Sequence, residues 1–335
     1  MGERDGGVQM TCAACGAGDV EVVHEAVRLL RCRRCGLGFL HPQPDDATLA
    51  GLYADDYYTK PIDPGGPSYL ENRAGLERFF DRRLRRIERF IRPGRLLEVG
   101  AGLGYLLNAA SRRGWTGVGL EVSEFASGYA RREFGLDVRR QTLEEAALGD
   151  GAFDAVVARD VLEHTRDPRA FLLAARRVLR TGGLLALSAP NFASLNARLG
   201  GLAWRHLRPP QHLFHFTPEA LGRLLRECGF EVAECASRYD APATREVYAA
   251  LRGAATGEMP VPPSGERGVA QASSLWALAW HAALRGDIVF LPLGSSLRRV
   301  LRALALTCAC IARPFRARLH DDILEVLSLK SEVIR

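Results

Sequence analysis

Apolar runs alternate with amphipathic segments through the middle of the chain. Runs such as DAVVA and LLALSA are apolar almost throughout, which is typical of parallel strands buried on both faces of a sheet. Segments of about 10 to 15 residues with helical spacing separate these runs. The pattern therefore predicts a doubly wound α/β domain. The predicted strands are 96–100, 116–121, 136–139, 153–158, 184–189 and 230–237.

The segments that flank this domain have different patterns. Residues 72–91 are a predicted helix rich in arginine, which Pro93 and Gly94 end before the first strand. The tyrosine-, proline- and glycine-rich stretch ahead of that helix predicts a partly irregular lid. Residues 241–320 break the alternation with a stretch rich in Gly, Pro and Ser and two apolar patches, which indicates a helical insertion.

The stretch LLEVGAGLGYLL joins an apolar strand pattern to an apolar helical pattern. Three glycines at every second position, from Gly100 to Gly104, let the backbone turn sharply and approach a ligand. Free N–H groups at the start of the helix favour electron-rich ligand groups. A dinucleotide fingerprint needs a further glycine three residues after the second, but Tyr105 and Leu107 stand at the two positions that this spacing allows. The loop therefore predicts a nucleotide cradle of another kind.

Two acids end neighbouring predicted strands. Glu98 precedes the glycine loop, and Glu121 ends the next strand. Both carboxylates should lie at the ligand site, because ligands of such sheets bind at the carboxyl ends of the strands. One suits the amino-acid part of a ligand and the other a ribose diol. The pair fits S-adenosylmethionine.

Four ordered segments carry a family resemblance. LLEVGAGLGY resembles motif I of the class I S-adenosylmethionine-dependent methyltransferases. The resemblance continues, in family order across residues 93–238, through FDAVVARDVLEHTRDP, LRTGGLLALSAPN and HLFHFTPEALGRLLRECGF. It implies a Rossmann-like sheet of seven strands. The segment DDILEVLSLK resembles the last strand of that sheet.

The resemblance also implies which residues bind the cofactor. Thr142 and Leu143 follow the third strand, where family members contact adenine, and Glu144 is adjacent. Arg159 and Asp160 follow the fourth strand, beside the methyl group. The implied cofactor-binding set is Glu98, Gly100, Ala101, Gly102, Gly104, Glu121, Val122, Thr142, Leu143, Arg159 and Asp160.

Four cysteines near the N-terminus form two CxxC pairs with sixteen residues between the pairs. This spacing places four thiolates tetrahedrally on two small turns. It predicts a structural zinc ribbon that stabilises a fold too small for its own core. Redox or disulfide chemistry is the alternative, although a reducing cytoplasm disfavours it. The predicted zinc ligands are Cys12, Cys15, Cys32 and Cys35.

Two histidine-containing segments belong to the predicted acceptor side. Asp160, Glu163 and His164 correspond to the acid, acid and histidine that bind a divalent cation in quinone-biosynthesis O-methyltransferases. For His164, capping and packing of the following helix is one alternative, and general-base chemistry is another. His212 and His215 resemble a motif that borders the acceptor, and they are candidate bases because imidazole titrates near neutral pH. A structural role beside a proline turn is the alternative for this pair.

Composition and charge limit the partners. Apolar content of 47% and charged content of 25% are ordinary for a soluble protein. The net charge of +6 comes with no pattern of stacking aromatic residues, so nucleic acid is not an expected partner. No signal-peptide pattern or membrane-spanning run is visible, which predicts a cytoplasmic location. Residues 273–316 combine apolar helical spacing with arginines, which indicates packing, a homodimer, or contact with the inner face of the membrane.

The predicted function is methyl transfer from S-adenosylmethionine to a small-molecule or glycan acceptor. Methyltransferases of nucleotide-linked sugars and cell-surface glycans share the zinc ribbon and histidine pair, which favours a nucleotide-linked or lipid-linked sugar. A quinone-like acceptor is the alternative. A nicotinamide dehydrogenase and a non-catalytic zinc-binding adaptor are rivals of other classes. The predicted domains are 1–45 (zinc ribbon), 46–92 (lid and basic helix), 93–240 (cofactor-binding core), 241–320 (helical insertion) and 321–335 (last strand).

Overall fold

The computed structural model describes residues 11–52, 56–61, 66–239 and 321–331. The predicted insertion at 241–320, including the membrane or dimer contact at 273–316, lies outside the described residues. Within the part that is described, no helix is both long enough and apolar enough to cross a bilayer.

The secondary structure follows the predicted alternation. The described strands are β1 (Val20–His24), β2 (Leu29–Cys32), β3 (Gly38–Leu40), β4 (Arg95–Val99), β5 (Thr116–Leu120), β6 (Asp137–Arg139), β7 (Phe153–Arg159), β8 (Leu179–Pro190), β9 (Phe214–His215), β10 (Phe230–Tyr239) and β11 (Asp321–Lys330). The described α-helices are α1 (Asp46–Gly51), α2 (Asp56–Thr59), α3 (Arg73–Ile87), α4 (Tyr105–Ser111), α5 (Glu124–Phe134), α6 (Pro168–Val178), α7 (Leu195–Gly200) and α8 (Pro218–Glu227). Short 3-10 helices span Leu162–His164 and Gly201–Ala203.

The chain divides into two compact units. The first contains Met1–Phe192, Arg208–Ala236 and Leu324–Arg335, and the second contains Ala193–Leu207 and Ser237–Ile323. In the second unit, the Ser194 side chain caps α7 by accepting a hydrogen bond from the Ala197 N–H at 3.0 Å. All the site residues considered below belong to the first unit.

Seven described strands form the larger sheet, in the order β10-β11-β8-β7-β4-β5-β6. The pairs β4–β5, β4–β7, β5–β6 and β7–β8 are parallel. The central strands are buried on both faces because their runs are apolar: Ala155, Val156 and Val157 of β7 are at most 2% exposed. The predicted Rossmann-like fold is confirmed, and β11 lies between β10 and β8.

A smaller sheet in the described chain has the order β1-β2-β3-β9. Strands β1 to β3 belong to the N-terminal cysteine segment, whereas β9 comes from HLFHF, far along the chain. The pairing of β3 with β9 is antiparallel, with Gly38 opposite His215 and Phe39 opposite Phe214. The sequence did not predict β9, because two residues are too few to show an alternation. The cysteine segment is thus joined to the following domain by backbone pairing.

The arginines of helix α3 take part in ion pairs as well as in a solvated face. Arg83 and Arg86 each lie 2.5 Å from a carboxylate oxygen of Glu325 in β11. Arg86 also lies 2.7 Å from a carboxylate oxygen of Glu234 in β10. The side chain of Glu325 is 8% exposed, and those of Arg83 and Arg86 are 20% and 11% exposed. A largely buried charge network therefore ties α3 to the last two strands.

Glu325→Gln is expected to lower the free energy of unfolding by about 3 kcal/mol, because it removes the carboxylate that two largely buried guanidinium groups share. Urea denaturation of the full chain measures the change. Glu231→Gln, at an exposed position of β10, is the matched control and should change the value by no more than about 0.5 kcal/mol. Equal stability of the two variants would contradict a stabilising role for the network.

Candidate functional site

The carboxyl ends of β4, β5 and β7 open into a cavity of about 700 Å³. Crevices at this edge of an α/β sheet are the usual ligand sites, and pockets for small molecules measure about 300 to 1,000 Å³. Glu144 lines the cavity together with most of the predicted cofactor-binding set. Those members are Glu98, Gly100, Ala101, Gly102, Glu121, Val122, Thr142, Leu143, Arg159 and Asp160.

The three glycines of the loop serve different purposes. Gly100, Gly102 and Gly104 have φ angles of +72°, +52° and +80°. A Cβ atom on Gly100 would lie 2.6 Å from Val161, and one on Gly104 would lie 2.8 Å from a side chain of α5. Both positions therefore need glycine for close packing, and Gly104, the N-cap of α4, is not among the described lining residues. A Cβ atom on Gly102 would meet the Tyr58 ring at an ordinary 3.7 Å, so Gly102 borders the open space of the cavity.

Glu121 fixes this loop from the end of β5. Its carboxylate accepts hydrogen bonds from the N–H groups of Gly102 and Ser123, each at 2.8 Å. Burial raises the pKa of this carboxyl, and the two backbone donors oppose the shift. Glu121 therefore orders the turn beside the cavity.

Glu98 is the second buried acid of the cavity. Its side chain is 5% exposed, and its Oε2 atom has no hydrogen-bond partner among the described residues. Burial raises the pKa of Glu98 well above its usual range, and the charge of Arg159 opposes the shift. A buried acceptor without a donor costs free energy. Glu98, the adjacent glycine loop and the open space at Gly102 together fit S-adenosylmethionine, the cofactor that the sequence implies.

Asp160 and Arg159 form a fixed ion pair where β7 ends. Asp160 has a φ of +52°, an uncommon value for a residue other than glycine and one that surrounding contacts must hold. Its carboxylate accepts hydrogen bonds from Ser188 Oγ and from the Arg159 guanidinium, both at 2.9 Å. The guanidinium also lies 4.5 Å from the centre of the Phe79 ring. The strained backbone at Asp160 therefore presents a charge pair to the cavity.

His164 is the described histidine that lines the cavity. Its Nδ1 atom lies 2.9 Å from the carbonyl oxygen of Gln211, and its ring meets the ring of His212 edge-on at 4.7 Å. Burial lowers the pKa of His164. The capping part of the structural interpretation of His164 is wrong, because Asp167 caps α6 with its own side chain; packing by His164 stays a prediction.

His212 and His215 lie behind the cavity wall. Neither is among the described residues that line the cavity, and they are 4% and 0% exposed. Burial lowers the pKa of His215 to about 3, which makes it a poor base near neutral pH. Ligand atoms of Glu163, His164 and His212 lie within 4.8 Å of one another. Asp160, predicted as the third member of a cation site, is absent from that group and holds the ion pair instead.

Comparison with known proteins identifies the family. A family model described as "Methyltransferase domain" matches residues 69–234. The ubiquinone biosynthesis O-methyltransferase of Pseudomonas aeruginosa is 31% identical over 185 residues, which cover 52% of this chain and 73% of that protein. This chain belongs to the methyltransferase-domain family.

Two further similarities describe the extent of the match. The ubiquinone biosynthesis O-methyltransferase of Cereibacter sphaeroides is 34% identical over 148 residues, which are 41% of this chain. The chain spans 60% of the length of that relative. The crystal structure of a SAM dependent methyltransferase from Archaeoglobus fulgidus aligns with a TM-score of 0.47 at 17% identity, over 76% of this chain and 94% of that one.

One side of the methyltransferase cavity is aromatic. Phe79 and Phe80 of α3 line it, but the sequence analysis identified this helix only as rich in arginine. Leu76, Phe79 and Phe80 recur at i, i+3 and i+4, a spacing that predicts a shared apolar helical face. The Tyr57 and Tyr69 rings stack at 5.5 Å. The tyrosines of the predicted lid that line the cavity are Tyr57, Tyr58 and Tyr69.

The four N-terminal cysteines of this family member converge on one point. The Sγ atoms of Cys12 and Cys35 lie 3.5 Å apart, as do those of Cys15 and Cys32. All four sulfurs lie within 4.8 Å of one another. A disulfide needs about 2.05 Å between its sulfurs, whereas tetrahedral zinc with Zn–S bonds of about 2.3 Å separates them by about 3.8 Å. The donor set therefore fits a closed four-sulfur zinc site.

Proposed function

We propose that this chain transfers the methyl group of S-adenosylmethionine to a hydroxyl group of a small-molecule acceptor. The observation that carries the proposal is the glycine loop flanked by two buried carboxylates, Glu98 and Glu121, all lining one cavity. The named relatives are O-methyltransferases, which supports oxygen as the atom methylated.

Each part of the cofactor would meet a different group of the loop. Glu98 would accept hydrogen bonds from the ammonium of the amino-acid part, which would supply the donor that its buried Oε2 atom lacks. Glu121 would accept the ribose hydroxyls while it holds the Gly102 N–H. Thr142 and Leu143 would contact adenine. The bound cofactor supplies an electrophilic methyl group on a sulfonium centre.

The chain contributes mainly geometry to the reaction. Holding the acceptor oxygen in line with the methyl group can lower the barrier by about 7 to 11 kcal/mol. The acceptor hydroxyl also has to lose its proton. His164 lines the cavity, and we assign it the role of general base in preference to His212 and His215, which lie behind the wall.

A hydroxylated aromatic or quinone-like ring is the acceptor that this cavity favours. The rings of Tyr57, Tyr69, Phe79 and Phe80 line it, and flat apolar acceptors pack well against such surfaces. The relatives take their name from ubiquinone biosynthesis. The nucleotide-linked or lipid-linked sugar predicted from the sequence is the competing acceptor.

Metal ions complete the proposal. The four-cysteine cluster would hold zinc in a structural role, because four sulfur ligands leave no open position for catalysis. As the alternative to base catalysis by His164, a divalent cation would be held by Glu163, His164 and His212, since Glu163 is fully buried and its oxygens have no hydrogen-bond partner in the described chain. The cytoplasmic location, the homodimer and the membrane contact at 273–316 stay predictions.

Methyl transfer from radiolabelled S-adenosylmethionine tests the acceptor class. The full chain is incubated with dihydroxylated benzoates, hydroquinones that carry short or long alkyl tails, and nucleotide sugars, each with and without added Mg²⁺. We expect label in the hydroxylated rings. Label in nucleotide sugars alone would contradict the proposed acceptor, and stimulation by Mg²⁺ that Glu163→Gln removes would support the cation site.

His164→Ala is expected to lower turnover of the preferred acceptor by about 100-fold or more, the usual effect of losing a general base. The affinity for S-adenosylhomocysteine should stay unchanged, which calorimetry checks. His41→Ala, at an exposed position outside the described cavity lining, is the control and should retain turnover. Normal turnover in both variants would show that His164 is structural.

A further inference from the structure

The cysteine ribbon, residues 11–40, is packed directly into the methyltransferase domain. Gly38 has no space for a side chain, since a Cβ atom there would lie 2.8 Å from the Phe192 ring and 3.1 Å from His215 Cβ. The Thr217 hydroxyl donates a hydrogen bond to the carbonyl oxygen of Cys35 at 3.0 Å. A loosely attached ribbon would need neither this close packing nor this hydrogen bond.

A chain of backbone hydrogen bonds leads from the ribbon to the cavity. The Leu40 N–H at the end of β3 donates to the Leu213 carbonyl oxygen at 2.9 Å, and the Leu213 N–H donates to the Glu163 carbonyl oxygen at 2.8 Å. Glu163 precedes His164, whose ring contacts the Gln211 carbonyl oxygen at 2.9 Å. The segment 211–213 therefore holds the cavity histidine on one side and the ribbon on the other.

The linker that leaves the ribbon makes a second connection. The Arg166 guanidinium donates hydrogen bonds to Asp46 Oδ1 at 2.8 Å and to the Pro44 carbonyl oxygen at 2.9 Å. Gln43 donates to the Arg166 carbonyl oxygen at 3.3 Å. Arg166 lines the cavity. Arg166 is thus bonded directly to the linker, and Glu163 is connected to the ribbon through Leu213.

The cofactor loop, which is the glycine loop of residues 100–104, is held by the end of strand β5 and not by the ribbon. The N–H groups of Gly100 and Ala101 donate to the Leu120 carbonyl oxygen at 2.8 and 3.0 Å, and the Gly102 N–H donates to Glu121. These bonds join neighbouring strands of the large sheet. The cofactor side of the cavity therefore has its own support.

We infer that the ribbon positions the acceptor side of the cavity: metal in the cysteine cluster keeps the 163–166 loop in place, and its loss releases His164 and Arg166 while the cofactor loop stays ordered. The inference rests on the proposed zinc site and methyl transfer. The ribbon is then a positioning element, and metal occupancy of its cysteines controls how well the cavity binds the acceptor.

Hydrogen–deuterium exchange on the full chain tests this coupling. Gly38→Ala crowds Phe192 and His215 and leaves all four cysteines in place, whereas Gly51→Ala, with nothing within 4 Å of the added atom, is the matched control. In Gly38→Ala we expect exchange at least about 10-fold faster in peptides 162–167 and 211–217. Exchange at 100–108, zinc content and affinity for S-adenosylhomocysteine should match the control. The KM for the acceptor should rise.

Chelation of the unmutated chain is the second arm. It should accelerate exchange in the same two peptides as well as in the ribbon, again without loss of S-adenosylhomocysteine binding. Fast exchange confined to residues 11–40, or loss of cofactor binding together with the ribbon, would overturn the inference. If no metal copurifies, the zinc proposal fails and the Gly38→Ala arm still decides the coupling. If no acceptor is methylated, the exchange measurements still decide it.

Discussion

Gly102→Val should reduce the affinity for S-adenosylhomocysteine by at least about 100-fold, or about 2.7 kcal/mol, while the domain remains folded. Two effects act together. The φ of +52° is strained for a β-branched residue, and the new methyl groups extend into the space of the cavity that Gly102 borders. Isothermal titration calorimetry measures the affinity, and circular dichroism confirms the fold.

Gly135→Val separates backbone strain from lost ligand space. Gly135 has a similar φ of +65°, and nothing lies within 4 Å of an added Cβ atom. It ends helix α5 away from the described cavity lining. This control should bind the ligand within about threefold of the unmutated chain. Equal affinity of the two variants would refute the position assigned to the cofactor.

Removing metal from the cysteine cluster should unfold the ribbon. About one zinc ion per chain is expected to copurify, and structural zinc contributes about 10 to 16 kcal/mol in small zinc folds at neutral pH. The ribbon has only a small core of its own, because its three strands are 5, 4 and 3 residues long. Metal analysis together with exchange at residues 11–40 measures the effect.

Cys35→Ser and Cys228→Ser form a matched pair for this prediction. Cys35 belongs to the four-sulfur cluster, whereas Cys228 is a buried cysteine at the end of α8 and outside that cluster. We expect Cys35→Ser to lose zinc and ribbon protection and Cys228→Ser to keep both. A chain purified without zinc whose ribbon exchanges slowly would contradict the metal's structural role.

The sheet and the cofactor loop could be predicted because their sequence signals are local. Strand β7 contains the apolar run AVVA, and the glycines at 100, 102 and 104 lie between a strand and a helix. The loop's two acids also come at the ends of strands, where topology alone brings them together. The zinc cluster was predictable from spacing for the same reason.

The acceptor side could be predicted only in part, because its arrangement depends on contacts between distant segments. Phe214 and His215 read as part of a histidine motif, yet they pair with the ribbon and are buried. Because His215 is buried, its lowered pKa makes it a poor base. His164 lines the cavity instead. Phe79 and Phe80 lie on an apolar face of α3, but the many arginines of this segment led to an interpretation based on charge alone.

The cofactor itself is the most direct test of the account. Calorimetric titration of the full chain with S-adenosylhomocysteine and, separately, with NAD⁺ distinguishes a methyltransferase site from a dinucleotide site at the same glycine loop. We predict saturable binding of S-adenosylhomocysteine at about one molecule per chain and no heat of binding with NAD⁺. Binding of NAD⁺ with none of S-adenosylhomocysteine would contradict the central claim.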